Sequence, residues 1–156
     1  MPKYEYISYK DMNSYYADVI RKITNDNRRP DVVFAPMRGG ADFGVKVSNY
    51  YDIPFESIQW QTRSGNERNV EQLQYLFNKY DQQCILIVDD ICDSGTTLKE
   101  IAEVALSCEQ SDVLFAAAIE NLESPFSCDY SSREISRSED TQWFIFPWEE
   151  WWRRLD

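Results

Sequence analysis

The residues best equipped for chemistry lie together. Positions 84–97 read CILIVDDICDSGTT: an apolar run, two adjacent carboxylates (Asp89 and Asp90), a third (Asp93), then Ser94, Gly95, Thr96 and Thr97. A short continuous apolar run predicts a strand at 84–88 buried on both faces, and TTLKEIAEVALSC predicts a helix at 96–108. A glycine- and hydroxyl-rich turn entering a helix presents backbone N–H groups and the positive end of the helix dipole, which together favour an anion. The turn lacks the lysine of the nucleotide-binding P-loop, so it suits a single phosphate group better than a nucleoside triphosphate. Carboxylates beside a phosphate repel it unless they receive hydroxyls or a divalent cation, a requirement that a sugar phosphate with Mg²⁺ meets. The chain has no histidine. Ser-His-Asp and Cys-His catalysis and His-ligated zinc are therefore excluded, and acid–base work falls to carboxylates, Lys, Tyr or Cys.

These residues need a scaffold, and the rest of the chain alternates between strand and helix patterns. Residues 4–9 read as a short strand, with Ser8 as cap for a helix over 10–27, where apolar residues fall at helical spacing. DVVFAP (31–36) reads as a second buried strand, RGGADFG (38–44) as a glycine-rich turn, and 41–51 as a helix. A strand over 53–61, a polar loop over 62–69 and a helix over 70–80 follow. After the 84–108 unit come a strand at 112–120, a polar Ser-rich stretch at 121–141 expected to hold a turn or helix or to form a rim, and a last strand at 143–146. Such alternation implies βαβ units, hence an α/β fold with an open parallel sheet flanked by helices. In such a sheet ligands sit beyond the carboxyl ends of the strands, which is where Asp89 and Asp90 fall.

At 156 residues the chain has room for one domain, spanning 1–156, and 43% hydrophobic residues supply its core. The formal charge of −11 argues against a nucleic acid as principal partner, since such binding relies on Lys and Arg neutralising phosphates. Cys84, Cys92, Cys108 and Cys128 form no C-x-x-C pair, which fits reduced thiols and a cytoplasmic location. No apolar run approaches the ~18 residues a membrane span requires, and the N-terminus does not read as a signal peptide.

ILIVDDICDSGTT closely resembles the phosphoribosyl-pyrophosphate (PRPP) signature of the type I phosphoribosyltransferases. Upstream, APMRGGADFG sits at a strand end as that family's pyrophosphate loop does. QWFIFPWEE resembles the C-terminal purine-binding segment of the xanthine, guanine and hypoxanthine transferases. The resemblance implies a Rossmann-like sheet with a mobile loop and a C-terminal base-binding hood, and a Mg²⁺-dependent enzyme of purine salvage. Such an enzyme transfers the 5-phosphoribosyl group from PRPP to a nucleobase and releases pyrophosphate.

By that resemblance Ser94, Gly95, Thr96 and Thr97 would bind the 5-phosphate, Asp89 and Asp90 the ribose hydroxyls or Mg²⁺-bound water, and Arg38 and Gly39 the pyrophosphate. The Met37–Arg38 bond would be cis. Asp93 would act as general base or as partner of the base, Arg63 or Arg68 would close the mobile loop, Trp143 would stack on the base, and Glu149 or nearby backbone would meet its edge. The family's 6-oxopurine enzymes carry a lysine after the next strand, where this chain has Glu120 or Asn121. A carboxylate there accepts from an amino group and cannot donate to an oxo group. Xanthine, guanine or hypoxanthine are favoured by the tail motif, with an amino-bearing base as the alternative. Homo-oligomers are common in the family. A non-catalytic PRPP- or nucleotide-binding regulator on the same fold is the rival reading.

Overall fold

A computed structural model of the chain describes residues 2–62 and 67–155. In chain order the elements are β1 (Tyr4–Tyr6), α1 (Tyr9–Asn25), β2 (Val32–Met37), α2 (Ala41–Tyr51), β3 (Phe55–Gln59) and α3 (Val70–Lys79). There follow β4 (Ile85–Cys92), α4 (Thr96–Ser107), β5 (Val113–Asn121), β6 (Tyr130–Ile135), β7 (Trp143–Ile145) and a short 3-10 turn at Trp151–Arg153. Helix α1 begins where the sequence places its cap. The Ser8 hydroxyl accepts from the Asp11 amide at 3.0 Å, and the Asp11 carboxylate accepts from the Ser8 amide at 3.1 Å, satisfying two otherwise free donors of the helix start.

Five strands form a parallel sheet in the order β3-β2-β4-β5-β6. Successive side chains in a strand point to opposite faces, and this alternation divides the core into two layers. Val33, Ala35, Leu86, Val88, Ala116 and Ala118 pack with the buried faces of α1 and α2. Val32, Phe34, Ile85, Ile87, Phe115 and Ala117 pack with α3 and α4. Fully buried side chains such as Phe34, Ile85 and Leu86 each contribute about 1.5–3 kcal/mol of hydrophobic stabilisation.

The chain leaves β2 for β3 on one side and returns to add β4 on the other, so the strand order reverses between β2 and β4. Open α/β sheets hold ligands at such a crevice. Here β2 and β4 pair only from Val32↔Ile85 to Phe34↔Ile87, although β2 runs to Met37 and β4 to Cys92. Pro36 has no N–H with which to extend the ladder, and its carbonyl accepts instead from the Gly40 amide at 3.0 Å. The unpaired ends of the two strands leave the mouth of a cleft.

The stretch 121–141, expected to hold a turn or helix or to form a rim, has turns at 122–123 and 137–139 and, between them, a strand. Its β6 segment YSSREI shows little apolar periodicity, yet it pairs with β5 from Ala116↔Tyr130 to Asn121↔Ile135 and buries Tyr130, Ser131 and Ile135. An edge strand with one covered face needs few apolar residues. A separate two-stranded parallel sheet joins β1 to β7, with Tyr4 opposite Trp143 and Tyr6 opposite Ile145. Arg133 on β6 pairs with Glu5 on β1, which ties this small sheet to the main one. No disulfide joins the cysteines, and no helix among the described residues is long and apolar enough to cross a membrane.

One buried side chain is imperfectly accommodated. The Tyr51 hydroxyl has no hydrogen-bond partner among the described residues. A buried unpaired hydroxyl costs about 1–3 kcal/mol. Tyr51→Phe is therefore expected to keep or raise stability, read as an unchanged or higher urea midpoint with an unchanged slope; a clear drop in midpoint would show that the hydroxyl is satisfied.

Candidate active site

The carboxyl ends of β2 and β4 border a cavity of ≈ 1070 Å³, at the upper end of the range for small-molecule sites. The turn after β2 forms one wall. Met37–Arg38 is a cis peptide, as the sequence reading expects, and Arg38 lies exposed on the cavity lining. The two glycines after it are required by space. A Cβ on Gly40 would meet the Val88 carbonyl at 2.5 Å, and one on Gly39 would meet an Asp90 carboxylate oxygen at 2.8 Å. Absence of side chains thus lets the turn close against β4, which places Gly39 directly beside the second of the twin acids.

Asp89 and Asp90 lie within the last residues of β4, whose bounds extend past the apolar run to Cys92. Asp89 is 8% exposed. Its Oδ1 accepts from the Asp90 amide at 2.9 Å, and Asp90 Oδ1 accepts from the Ile91 amide at 2.6 Å. Each carboxylate is thereby oriented by the backbone just beyond it, and both line the cavity.

The turn Asp93–Thr97, which follows β4, also lines the cavity. Gly95 caps α4 with φ +80, the left-handed region that glycine enters freely. A side chain there would also collide with Ser124 Oγ and come within 2.9 Å of Phe126 Cβ. The Thr96 amide donates to Ser94 Oγ at 3.3 Å, and Ser94 Oγ lies 3.1 Å from Thr96 Oγ1. Thr97 Oγ1 lies 3.0 Å from Thr62 Oγ1 in the loop after β3. A concave row of hydroxyls over the first turn of a 12-residue helix has the donor geometry for a phosphate.

Not every expected residue reaches this cavity. Arg68 lines it, with its Nε donating to Glu100 on α4 at 2.8 Å; Trp60 Nε1 shares the same carboxylate oxygen at 3.1 Å. Arg63 lies outside the described residues. Glu149 lines the cavity, but its carboxylate accepts from the Phe146 amide at 3.1 Å and so also shapes its own turn. Glu120 is a correction. It is buried, and its carboxylate accepts from the Cys128 amide at 2.6 Å and the Ser131 hydroxyl at 2.9 Å, which turns it away from the cavity. Adjacent strand residues face opposite sides, so Asn121 points the other way: its amide donates to the Asp93 carbonyl at 3.0 Å.

Trp143 is relocated as well. It is 47% exposed and lines a small adjoining concavity with Ile91, Arg137, Phe144 and Phe146. The aromatics on the main cavity are Trp60, Trp148 and Trp152, and Trp148 stacks on Phe146 at 5.2 Å with the rings 4° apart. Two residues carried no expectation from the sequence. Asp42, on the lining, accepts from Tyr16 Oη at 2.9 Å; burial and then the Asp42 charge push that phenol well above its ordinary range. Arg137 forks onto Asp93, with Nε–Oδ1 and Nη2–Oδ2 both at 2.9 Å. Its distance in sequence from the motif left no signal by which to find it.

Strand order, twin acids and the Asp93–Thr97 turn define a class. The family model for the phosphoribosyl transferase domain matches residues 7–152, and the chain belongs to that family. Among solved structures, a purine phosphoribosyltransferase from Pyrococcus horikoshii Ot3 is similar over 95% of both chains, with 22% identity and a TM-score of 0.74. The Helicobacter pylori xanthine-guanine-hypoxanthine phosphoribosyltransferase is similar over 97% of both, with 18% identity and a TM-score of 0.73. A Neisseria gonorrhoeae protein crystallised with bound ppGpp is similar over 95% of this chain and 90% of its own, with 19% identity and a TM-score of 0.75. A search of curated protein sequences found no match.

Proposed function

We propose that the protein transfers the 5-phosphoribosyl group of PRPP to a ring nitrogen of a purine. The observation that carries this reading is the gathering on one cavity of Arg38 and Gly39, the twin carboxylates Asp89 and Asp90, and the Ser94–Thr97 turn, with Gly39 packed against Asp90. A molecule with a phosphate at one end, a pyrophosphate at the other and a diol in the middle matches that set of groups. The bond from the anomeric carbon to the pyrophosphate oxygen breaks, and its electron pair leaves with pyrophosphate. The bond from that carbon to the base nitrogen forms, and the nitrogen's proton passes to a carboxylate or to water.

Arg38 meets the leaving group with forked donors, and Gly39 lets the backbone approach it closely. The Ser94–Thr97 turn anchors the far end of the sugar, which holds the anomeric carbon in line between nucleophile and leaving group. Asp93 is oriented by Arg137 toward the cavity it lines, where it accepts from the base. Trp148 covers the site from the C-terminal segment.

The residues fit Mg²⁺ in a particular way. No group of three or more metal-binding acids, Cys or His occurs among the described residues. Two adjacent carboxylates suit an ion that takes most of its oxygens from the substrate and water, and Asp89 and Asp90 would hold it. Such an ion supplies positive charge against the departing pyrophosphate.

A regulator that binds nucleotide without turnover is the second reading. It is favoured by the similarity in fold to the Neisseria protein with bound ppGpp. Incubation with PRPP, Mg²⁺ and a panel of purines and pyrimidines, followed by mass spectrometry of the products, decides between them. A ribonucleotide with stoichiometric pyrophosphate supports the transferase; tight PRPP or nucleotide binding with no product supports the regulator.

A further inference from the structure

We infer that Glu100 is a positioning residue for donor binding: from α4 it sets Arg68 on the cavity lining, where the Arg68 guanidinium meets the phosphate groups of the ligand; the inference rests on the reading of the cavity as a PRPP site. One carboxylate oxygen carries the arrangement. Glu100 Oε1 accepts from Arg68 Nε at 2.8 Å and from Trp60 Nε1 at 3.1 Å. Among the described residues, Trp60 and Arg68 line the cavity and Glu100 does not, so Glu100 reaches a ligand only through what it holds. The Arg68 and Glu100 side chains are 27% and 30% exposed, and a partly buried pair of this kind is screened less than a solvated one.

Glu100 belongs to a set of ties between segments distant in sequence. Thr97 and Glu100 stand three residues apart on α4 and so share a face. Thr97 Oγ1 lies 3.0 Å from Thr62 Oγ1, and Glu100 meets Trp60 and Arg68, which themselves form an antiparallel bridge. On either side of that bridge the Gln61 amide donates to the Glu67 carbonyl at 2.8 Å and the Asn69 amide to the Gln59 carbonyl at 3.0 Å. The chain leaving β3 and the chain entering α3 therefore run side by side, and both are fastened to the N-terminal half of α4. The helix that begins at the Ser94–Thr97 turn thereby fixes the place of Arg68.

Two effects of the carboxylate oppose each other. Its charge repels a nearby anionic ligand, while its hold on Nε aims a cation that attracts one. An arginine loses rotamer freedom when it engages a ligand, and holding it beforehand lowers that cost. A charge-assisted contact to Nε also fixes the plane of the guanidinium. The second effect wins in this geometry, because the carboxylate is paired with the arginine it holds and stands off the lining, whereas Arg68 stands on it. Removal of Glu100 is therefore expected to weaken donor binding, and to do so only while Arg68 is present. Without Arg68 only the repulsion remains.

Calorimetric titration with PRPP and Mg²⁺ tests this in the wild type, Glu100→Ala, Arg68→Ala and the double variant, with thermal unfolding as the check on folding. Arg68→Ala is expected to lose about 30-fold in affinity, and Glu100→Ala about tenfold. In the Arg68→Ala background the same change at Glu100 is expected to alter affinity by less than about twofold. Glu100→Gln keeps an oxygen for both donors and is expected to stay within about threefold of the wild type. Equal losses from Glu100→Ala in both backgrounds overturn the inference, since a purely structural role does not depend on Arg68. So does unchanged affinity in Arg68→Ala or Glu100→Ala, or a Gln variant as weak as the Ala variant. If Glu100→Ala does not fold, Glu100→Asp, which keeps the charge and withdraws the oxygen, takes its place in the cycle under the same criteria. A wild type that fails to bind PRPP removes the donor reading and this inference with it; binding with additive losses overturns this inference alone.

Discussion

A Gly95→Val variant is expected to lose PRPP affinity by at least about 100-fold, equivalent to about 2.7 kcal/mol at 1.36 kcal/mol per tenfold. The cause is double. A left-handed backbone costs an L-residue about 1–2 kcal/mol, and the new side chain would run into Ser124 and Phe126, which pack beneath the turn. The turn must shift, and with it the amides and hydroxyls that would face the phosphate. Combining Gly95→Ala with Ser124→Ala separates part of the contributions, because removal of the Ser124 hydroxyl relieves the closer collision and leaves the backbone strain and the contact with Phe126. Partial recovery of affinity in the double variant is the expected result in a calorimetric titration. Unimpaired PRPP binding by the valine variant would place the phosphate elsewhere.

The paired substitution Asp89→Asn, Asp90→Asn carries the other large effect, and its sign is informative. Neutralising two negative charges beside an anionic ligand strengthens binding if the acids do nothing but repel it. If they receive the ribose hydroxyls and the Mg²⁺ shell, the same change weakens transition-state stabilisation; the expected loss is about 10³-fold in kcat/KM, or about 4 kcal/mol. Stability should hold or rise, since two like charges at the end of β4 disappear while the amide oxygens still accept from the Asp90-position and Ile91 amides. Steady-state pyrophosphate release together with a urea titration reads both quantities. A variant that turns over like the wild type removes the acids from the mechanism.

Sequence periodicity carried the layered α/β arrangement because its signals are local. The apolar runs at β2 and β4 are buried on both faces, and the α1 and α3 stripes repeat at helical spacing. The turn Asp93–Thr97 was legible for the same reason: glycine, hydroxyls and a helix start are contiguous. What escaped depends on distant chain segments. Strand β6 is polar, and only pairing with β5 makes it a strand. The β1–β7 ladder joins residues at opposite ends of the chain.

Three site assignments illustrate the same limit. The choice between Glu120 and Asn121 turns on strand alternation, which reverses with a shift of one residue. Trp143 and Trp148 are both aromatic and five positions apart, and the turn at Pro147 decides which reaches the main cavity. Arg137 lies in a Ser-rich stretch with no motif of its own; its meaning comes from Asp93, across the β5–β6 edge of the sheet.

The most direct measurement is a crystal of the protein soaked with PRPP and Mg²⁺. The expected density places the 5-phosphate against the Ser94–Thr97 turn, the ribose hydroxyls toward Asp89 and Asp90, and the pyrophosphate beside Arg38 and Gly39. Density for the donor anywhere else, or a cleft that stays empty at saturating donor, would contradict it.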